Sequence, residues 1–170
     1  MSSTFAASLE RLSDNVNRLV EIAAGALVAL TVGVTFIQVV FRYGLDSSLS
    51  WSEEAARYCF IWTIFLGTSM AARRGQHIVV EVLAPRMRRA LTHVVALVGI
   101  SFFALFAYVA ALLVDNAWSQ TSTALQIPIA LVYASAPLGA ALTVLHLVNA
   151  VVQRRHAGAR SADQQPLPPT

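Results

Sequence analysis

The chain has 170 residues, of which 56% are hydrophobic and only 12% are charged. That charged fraction is about half of what soluble domains carry, and it leaves too few polar residues to cover a water-facing surface. The composition therefore excludes an ordinary soluble enzyme and a nucleic-acid-binding domain. The twelve basic residues are all arginines that lie between long apolar runs, where such charge sets the orientation of a membrane protein. The single cysteine, Cys59, excludes an intramolecular disulfide.

The first twenty-one residues predict an amphipathic helix. Phe5, Leu9, Leu12, Val16 and Leu19 recur at alternating spacings of four and three, which places them on one helical face. We expect this segment either to lie on the membrane surface and lead into the first span, or to pack against a partner.

Four apolar segments follow that are long enough to cross a bilayer, which takes about 20 residues. They are predicted at about 22–41, 54–72, 91–114 and 127–152. They must be helices, because lipid offers no hydrogen-bond partner for the backbone. The second segment holds only fifteen uncharged residues between Arg57 and Arg73, so it must carry Arg57 near one membrane interface. The predicted fold is therefore an all-α integral membrane protein with four transmembrane helices.

Two prolines predict where helices begin or break. Pro85 suits the first turn of a helix that leads into the third span. Pro137 lies inside the fourth span, where it removes the N–H donor for the carbonyl of Tyr133, so we expect a kink. Residues 154–170 are rich in Gly, Ser, Gln and Pro and are predicted to form a disordered tail.

The arginines predict the topology. With four spans, ten of the twelve fall on one side, in the N-terminal segment, the second-to-third connection and the tail. The third-to-fourth connection has none. By the positive-inside rule, both termini lie in the cytoplasm.

A polar cluster precedes the second span. Glu53 and Glu54 lie four and three residues before Arg57, so either carboxylate can pair with it. Trp51 would anchor at the headgroup level, and Arg42 could join from the end of the neighbouring helix. We interpret the cluster as a structural clamp rather than a catalytic centre, because no nucleophile or metal ligand converges on it. No acidic residue or arginine lies near the middle of any span, so the chain is poorly equipped to carry charged cargo.

Two histidines leave an alternative open. His93 and His146 both fall in the cytoplasmic half of antiparallel helices, where facing histidines could hold a haem. This would make the chain a cytochrome-like membrane subunit. A lone histidine is more commonly just hydrogen-bonded, and we expect no resident cofactor and no metal site.

Several short motifs between residues 41 and 81 resemble the small membrane subunit, the DctQ-like component, of tripartite ATP-independent periplasmic (TRAP) transporters. They are Phe41-Arg42-Tyr43, Trp51-Ser52-Glu53-Glu54, Phe60-Ile61-Trp62, Phe65-Leu66-Gly67 and Arg73-Arg74-Gly75-Gln76-His77-Ile78-Val79-Val80-Glu81. The family often has aspartate at the last of these positions. A weaker similarity follows in Thr123-Ala124-Leu125-Gln126-Ile127-Pro128, Tyr133 and Pro137-Leu138-Gly139.

This resemblance implies a non-enzymatic scaffold subunit in the bacterial inner membrane. In such systems a periplasmic binding protein captures an organic acid, such as a dicarboxylate or a sialic acid. A large membrane subunit moves the acid inward on a sodium gradient, and the small subunit packs against it. The resemblance also implies an outer rim formed by Arg42, Trp51, Glu53, Glu54 and Arg57. It implies that the inner end of the second helix is shaped by Gly67, Arg73, Gly75 and His77.

Overall fold

The computed structural model describes residues 2–47, 49–75 and 85–163, with the side chains of 13–47, 49–74 and 94–152. The helices are α1 (Ser2–Gly44), α2 (Ser50–Gly75), α3 (Pro85–Asn116), α4 (Ala130–Tyr133) and α5 (Ser135–Asp163). Within these ranges the only β-type pairing is an isolated antiparallel bridge between Thr121 and Pro128. The prediction of an all-α fold is confirmed for the residues that the structure describes.

Three segments of the described chain are long and apolar enough to cross a membrane: Ser13–Gly44, Val94–Asn116 and Ala130–Val152. They correspond to the first, third and fourth predicted spans. The helix α2 has 26 residues and is therefore about 39 Å long, more than the roughly 30 Å of a hydrocarbon core. It is not among these three segments, so the count of four spans stays a prediction.

Helix α1 continues through the boundary predicted at residue 21. It is a single helix of 43 residues, because Glu21, Ala23 and Ala24 at that junction are helix-compatible residues. From Ser13 onward it extends the first span, and Val20 and Ala24 form a buried apolar cluster with Leu66 of α2. The described part of this segment therefore packs on α2, and the amphipathic surface helix stays a prediction.

Both prolines lie where the sequence predicted a helix start or an interruption. α3 begins at Pro85. The fourth span is interrupted at Ala134, three residues before Pro137, and this interruption separates α4 from α5. The helical pattern resumes where the N–H of Leu138 donates to the carbonyl of Ala134 at 3.3 Å.

The end of α5 differs from the sequence prediction. The helix continues to Asp163, so residues 154–163 are helical, whereas the whole tail was predicted to be disordered. Arginine and alanine, which recur in this stretch, are favourable helix formers. Residues 164–170 lie outside the described residues.

The helices form an open layer rather than a closed bundle. α1 packs on α2 and less extensively on α5, α2 packs on α5, and α5 packs on α3. Among the described residues, α1 and α3 do not touch. In the most apolar part of Ala130–Val152, 33% of the residues are buried, against 6% in that of Val94–Asn116. The large apolar faces of the outer helices therefore need lipid or another protein to cover them.

Candidate functional site

Glu54 joins the start of α2 to the loop between α3 and α4. Its Oε2 accepts hydrogen bonds from the backbone N–H groups of Ala124 and Leu125, both at 2.9 Å. Its Oε1 accepts the hydroxyl proton of Tyr58, one turn further along α2. We call this arrangement of Glu54, Tyr58, Ala124 and Leu125 the Glu54 clasp.

The donors of the Glu54 clasp favour the ionised carboxylate. Three donors converge on its two oxygens, from the Tyr58 hydroxyl and from the N–H groups of Ala124 and Leu125, and hydrogen bonds to the charged form of a carboxyl group favour that form. The arrangement suits a charge-assisted contact between α2 and the loop.

The loop 117–129 folds back on itself to present these donors. The N–H of Ser122 donates to the carbonyl of Ile127 at 2.9 Å, and the N–H of Ile127 donates to the hydroxyl of Ser122 at 3.3 Å. Gln126 adopts a left-handed backbone conformation with φ of 55°, which reverses the chain at the tip. This turn places two consecutive N–H groups towards α2.

The other residues of the predicted outer rim make weaker contacts. Arg57 pairs with Glu53 at 3.5 Å, and both side chains are largely exposed, at 65% and 71%. Such a pair contributes little to stability. Arg42 lies 6.0 Å from the ring of Tyr43, and Trp51 is exposed. The predicted cluster therefore does not act as one unit. Glu54 is hydrogen-bonded to the loop, whereas Glu53 and Arg57 are exposed.

Arg73, at the opposite end of α2, binds the N-terminal part of α1. Its Nη1 donates to the carbonyl of Ser13 at 3.2 Å, and its Nη2 donates to the carboxylate of Asp14. The hydroxyl of Ser13 lies 3.0 Å from Nδ1 of His146 on α5, and both side chains are fully buried. We call these four residues the Arg73 clasp, and it joins α1, α2 and α5.

The partners of Arg73 were not predicted from the sequence. One feature of the sequence could have indicated Ser13. It lies three residues before Val16 and seven before Val20, so it shares their helical face. A polar side chain on an otherwise apolar face needs a partner when that face is buried. The neighbouring Arg74 makes only an exposed pair with Glu21 at 3.5 Å.

Two glycines of α2 and α5 have different surroundings. A Cβ atom added at Gly67 would meet nothing of this chain within 4 Å. A Cβ added at Gly139 would lie 2.7 Å from the carbonyl oxygen of Phe65 and 2.8 Å from its Cβ. The close crossing of the two helices therefore occurs at Gly139. Of the other predicted residues, Gly75 ends α2 and His77 lies outside the described residues.

The haem interpretation gains no support. The contact between His146 and Ser13 is the ordinary environment of a buried structural histidine, and the side chain of His93 lies outside the described part of the chain. No group of three or more His, Cys, Asp or Glu residues that could hold a metal occurs among the described residues.

Residues 31–156 match the family model described as "Tripartite ATP-independent periplasmic transporters, DctQ component". The chain is 38% identical over 79 residues to a Haemophilus influenzae protein described as a TRAP transporter small permease protein, covering 46% of this chain and 49% of that protein. It is 31% identical over 101 residues to the C4-dicarboxylate TRAP transporter small permease protein DctQ of Rhodobacter capsulatus, covering 56% and 44%. It is also 33% identical over 72 residues to the sialic acid TRAP transporter permease protein SiaT of H. influenzae, covering 42% of this chain and 12% of that protein. The chain thus spans about half or less of the length of these relatives.

Proposed function

This chain belongs to the DctQ component family of TRAP transporters, and we propose that it is the scaffold subunit of an organic-acid importer. It is a multi-pass protein of the bacterial inner membrane. In this proposal, a periplasmic binding protein captures a carboxylate such as a dicarboxylate. A large membrane subunit carries it inward on a sodium gradient, while this chain supplies a fixed surface for that subunit.

The open layer of helices is the observation that carries the proposal. The ion pairs among its described residues lie at the two ends of α2, beside Glu54 and around Arg73. The stretches of sequence between the ends carry no charge. A pathway for an anion normally needs polar or ionisable groups at depth in the membrane. The layer instead offers broad apolar faces, which suit lipid and packing against a larger membrane protein.

The relatives support a large membrane partner. Two of the relatives are named small permease proteins, a name that implies a larger permease subunit beside them. The SiaT permease contains a segment similar to this chain within only 12% of its length, so in that protein the segment is continuous with a much longer permease chain. We assign the equivalent partner to this chain as a separate large subunit.

We also propose a topology of four spans with both termini in the cytoplasm, in which α2 is the remaining span. The clasps support an antiparallel arrangement, because Arg73 near the end of α2 meets Ser13 near the start of α1. The Arg73 clasp then lies on the arginine-rich cytoplasmic side. The Glu54 clasp lies on the periplasmic side, where the binding protein docks.

Co-purification and uptake test the proposal together. The chain, expressed with its large subunit and binding protein, should co-purify with the large subunit in mild detergent, and cells should lose carboxylate uptake when it is deleted. Arg160→Ala, in the tail, serves as a control that should leave complex and uptake unchanged. Full uptake without the chain, and no recovered complex, would refute the scaffold role.

A further inference from the structure

We propose that α2 is a conditional span, which stays across the membrane only because other parts of the chain hold it there. The Glu54 clasp, the Arg73 clasp and the crossing at Gly139 would keep α2 in the membrane, because its uncharged stretch is too short to do so alone. This inference rests on the four-span topology of the proposed function and adds how the fourth span is maintained.

The sequence of α2 is less suited to the membrane than that of the other spans. Only the fifteen residues 58–72 between Arg57 and Arg73 are uncharged, whereas the other spans draw on the longer uncharged stretches 22–41, 90–114 and 116–153; a span takes about 20 apolar residues. The first two turns of α2 contain Glu53, Glu54 and Arg57, and its last turn contains Arg73 and Arg74. Charged residues oppose insertion, although less at the ends of a span than at its centre.

Two of these charges bind groups far away in the sequence. At each end, one charge is tied to a distant part of the chain. Glu54 binds N–H groups 70 and 71 residues later, and Arg73 binds groups 60 and 59 residues earlier. Charge-assisted bonds of this kind are about twice as strong as neutral ones. The adjacent Glu53 and Arg74 are 71% and 75% exposed and make only loose pairs.

The middle of α2 packs on both neighbouring helices. Leu66 is buried in a cluster with Val20 and Ala24 of α1, and the backbone of Phe65 lies close to Gly139 of α5. The hydroxyls of Thr63 and Ser69 donate to carbonyls of α2 itself, which reduces their cost in lipid. The middle of α2 is therefore compatible with the membrane once the ends are held.

Insertion of α2 could depend on its hydropathy alone or on the two clasps. These two explanations predict opposite outcomes for one double substitution. Glu54→Ala with Arg73→Ala removes two charges and makes α2 more apolar, so hydropathy alone predicts better insertion. The conditional span predicts that α2 leaves the membrane, because both clasps are lost. Glu53→Ala with Arg74→Ala removes the same charges one position away and keeps both clasps, so α2 should stay in place.

A cysteine in the middle of α2 reports its position. Cys59→Ser removes the native cysteine, and Ile64→Cys places a thiol ten residues, about 15 Å, from Glu54 on an exposed part of the helix. A membrane-impermeant maleimide, applied to open membrane fragments of cells expressing the full complex, labels only a thiol that reaches water and can ionise. We expect a several-fold rise in labelling for the clasp variant and none for the adjacent-charge variant.

A second reporter separates displacement of α2 from general unfolding. Leu105→Cys in α3, in the Cys59→Ser background, lies on a similarly exposed face and should stay protected in the clasp variant. Labelling of both reporters would mean general unfolding and would overturn the inference. A protected Ile64→Cys in the clasp variant would also overturn it, while leaving the four-span topology intact. Labelling of Ile64→Cys with both clasps present would refute the four-span topology and this inference together, but not the scaffold role, which the uptake experiment decides.

Discussion

Substituting Gly139 by alanine should destabilise the isolated chain, although alanine is the better helix former. The added Cβ would lie 2.7–2.9 Å from three atoms of Phe65, two of them backbone atoms. Carbon atoms in proteins prefer separations of about 3.5–4.0 Å. Since a helix backbone cannot rotate away as a side chain can, α2 and α5 must move apart by roughly 0.6–1 Å at this crossing.

The magnitude follows from two opposing terms. Overpacking of this kind costs about 1–3 kcal/mol, whereas replacing glycine by alanine inside a helix gains about 1 kcal/mol. Gly67→Ala is the matched control, because a Cβ there meets nothing within 4 Å and the propensity gain is the same. The difference between the two variants therefore isolates the overpacking term of about 1–3 kcal/mol.

Thermal unfolding of the purified chain in mild detergent, followed by tryptophan fluorescence, measures this difference. In a chain of this size, 1 kcal/mol corresponds to about 2–4 °C in Tm. Gly139→Ala should therefore melt several degrees below Gly67→Ala. If the two variants melt at the same temperature, the helices do not cross in backbone contact at Gly139, and the packing of the layer is wrong.

Three further outcomes are expected in the same assay. Ser13→Ala removes the hydrogen bond to the buried His146 and should lower the free energy of unfolding by about 1–3 kcal/mol; an unchanged Tm would remove Ser13 from the Arg73 clasp. Glu54→Ala removes the acceptor of both loop N–H groups and should lower the Tm, whereas Glu53→Ala breaks only an exposed pair and should leave the Tm nearly unchanged; equal Tm values for the two variants would contradict the assigned donors. Arg57→Ala breaks only the exposed pair with Glu53 and should change stability by less than about 0.5 kcal/mol, whereas a loss above about 1 kcal/mol would assign Arg57 a buried partner.

The features predicted from the sequence are those that depend on neighbouring residues. Uncharged runs predicted three of the spans, because apolar length alone decides whether a helix suits the bilayer. Pro85 and Pro137 predicted a helix start and an interruption, because each acts on hydrogen bonds within one turn. The apolar spacing in the first twenty-one residues predicted a helix but not its partner, since an apolar helical face has the same pattern whether it meets lipid headgroups or α2.

The contacts that organise the two ends of α2 were not predictable in this way. The partners of Glu54 are backbone N–H groups of Ala124 and Leu125, and every residue except proline carries such a group. The pairing with Arg57 looked equally good from spacing alone. Gly139 and Gly67 are both glycines in apolar helices, and only the packing of α2 on α5 makes one of them a point of contact.

Transport by the chain alone tests the scaffold assignment most directly. The purified chain, reconstituted in liposomes with an imposed sodium gradient, is given a labelled four-carbon dicarboxylate with and without the binding protein. The scaffold role predicts no more accumulation than in empty liposomes, because the uncharged middle of the layer offers an anion no path. Saturable accumulation by the chain alone would contradict it.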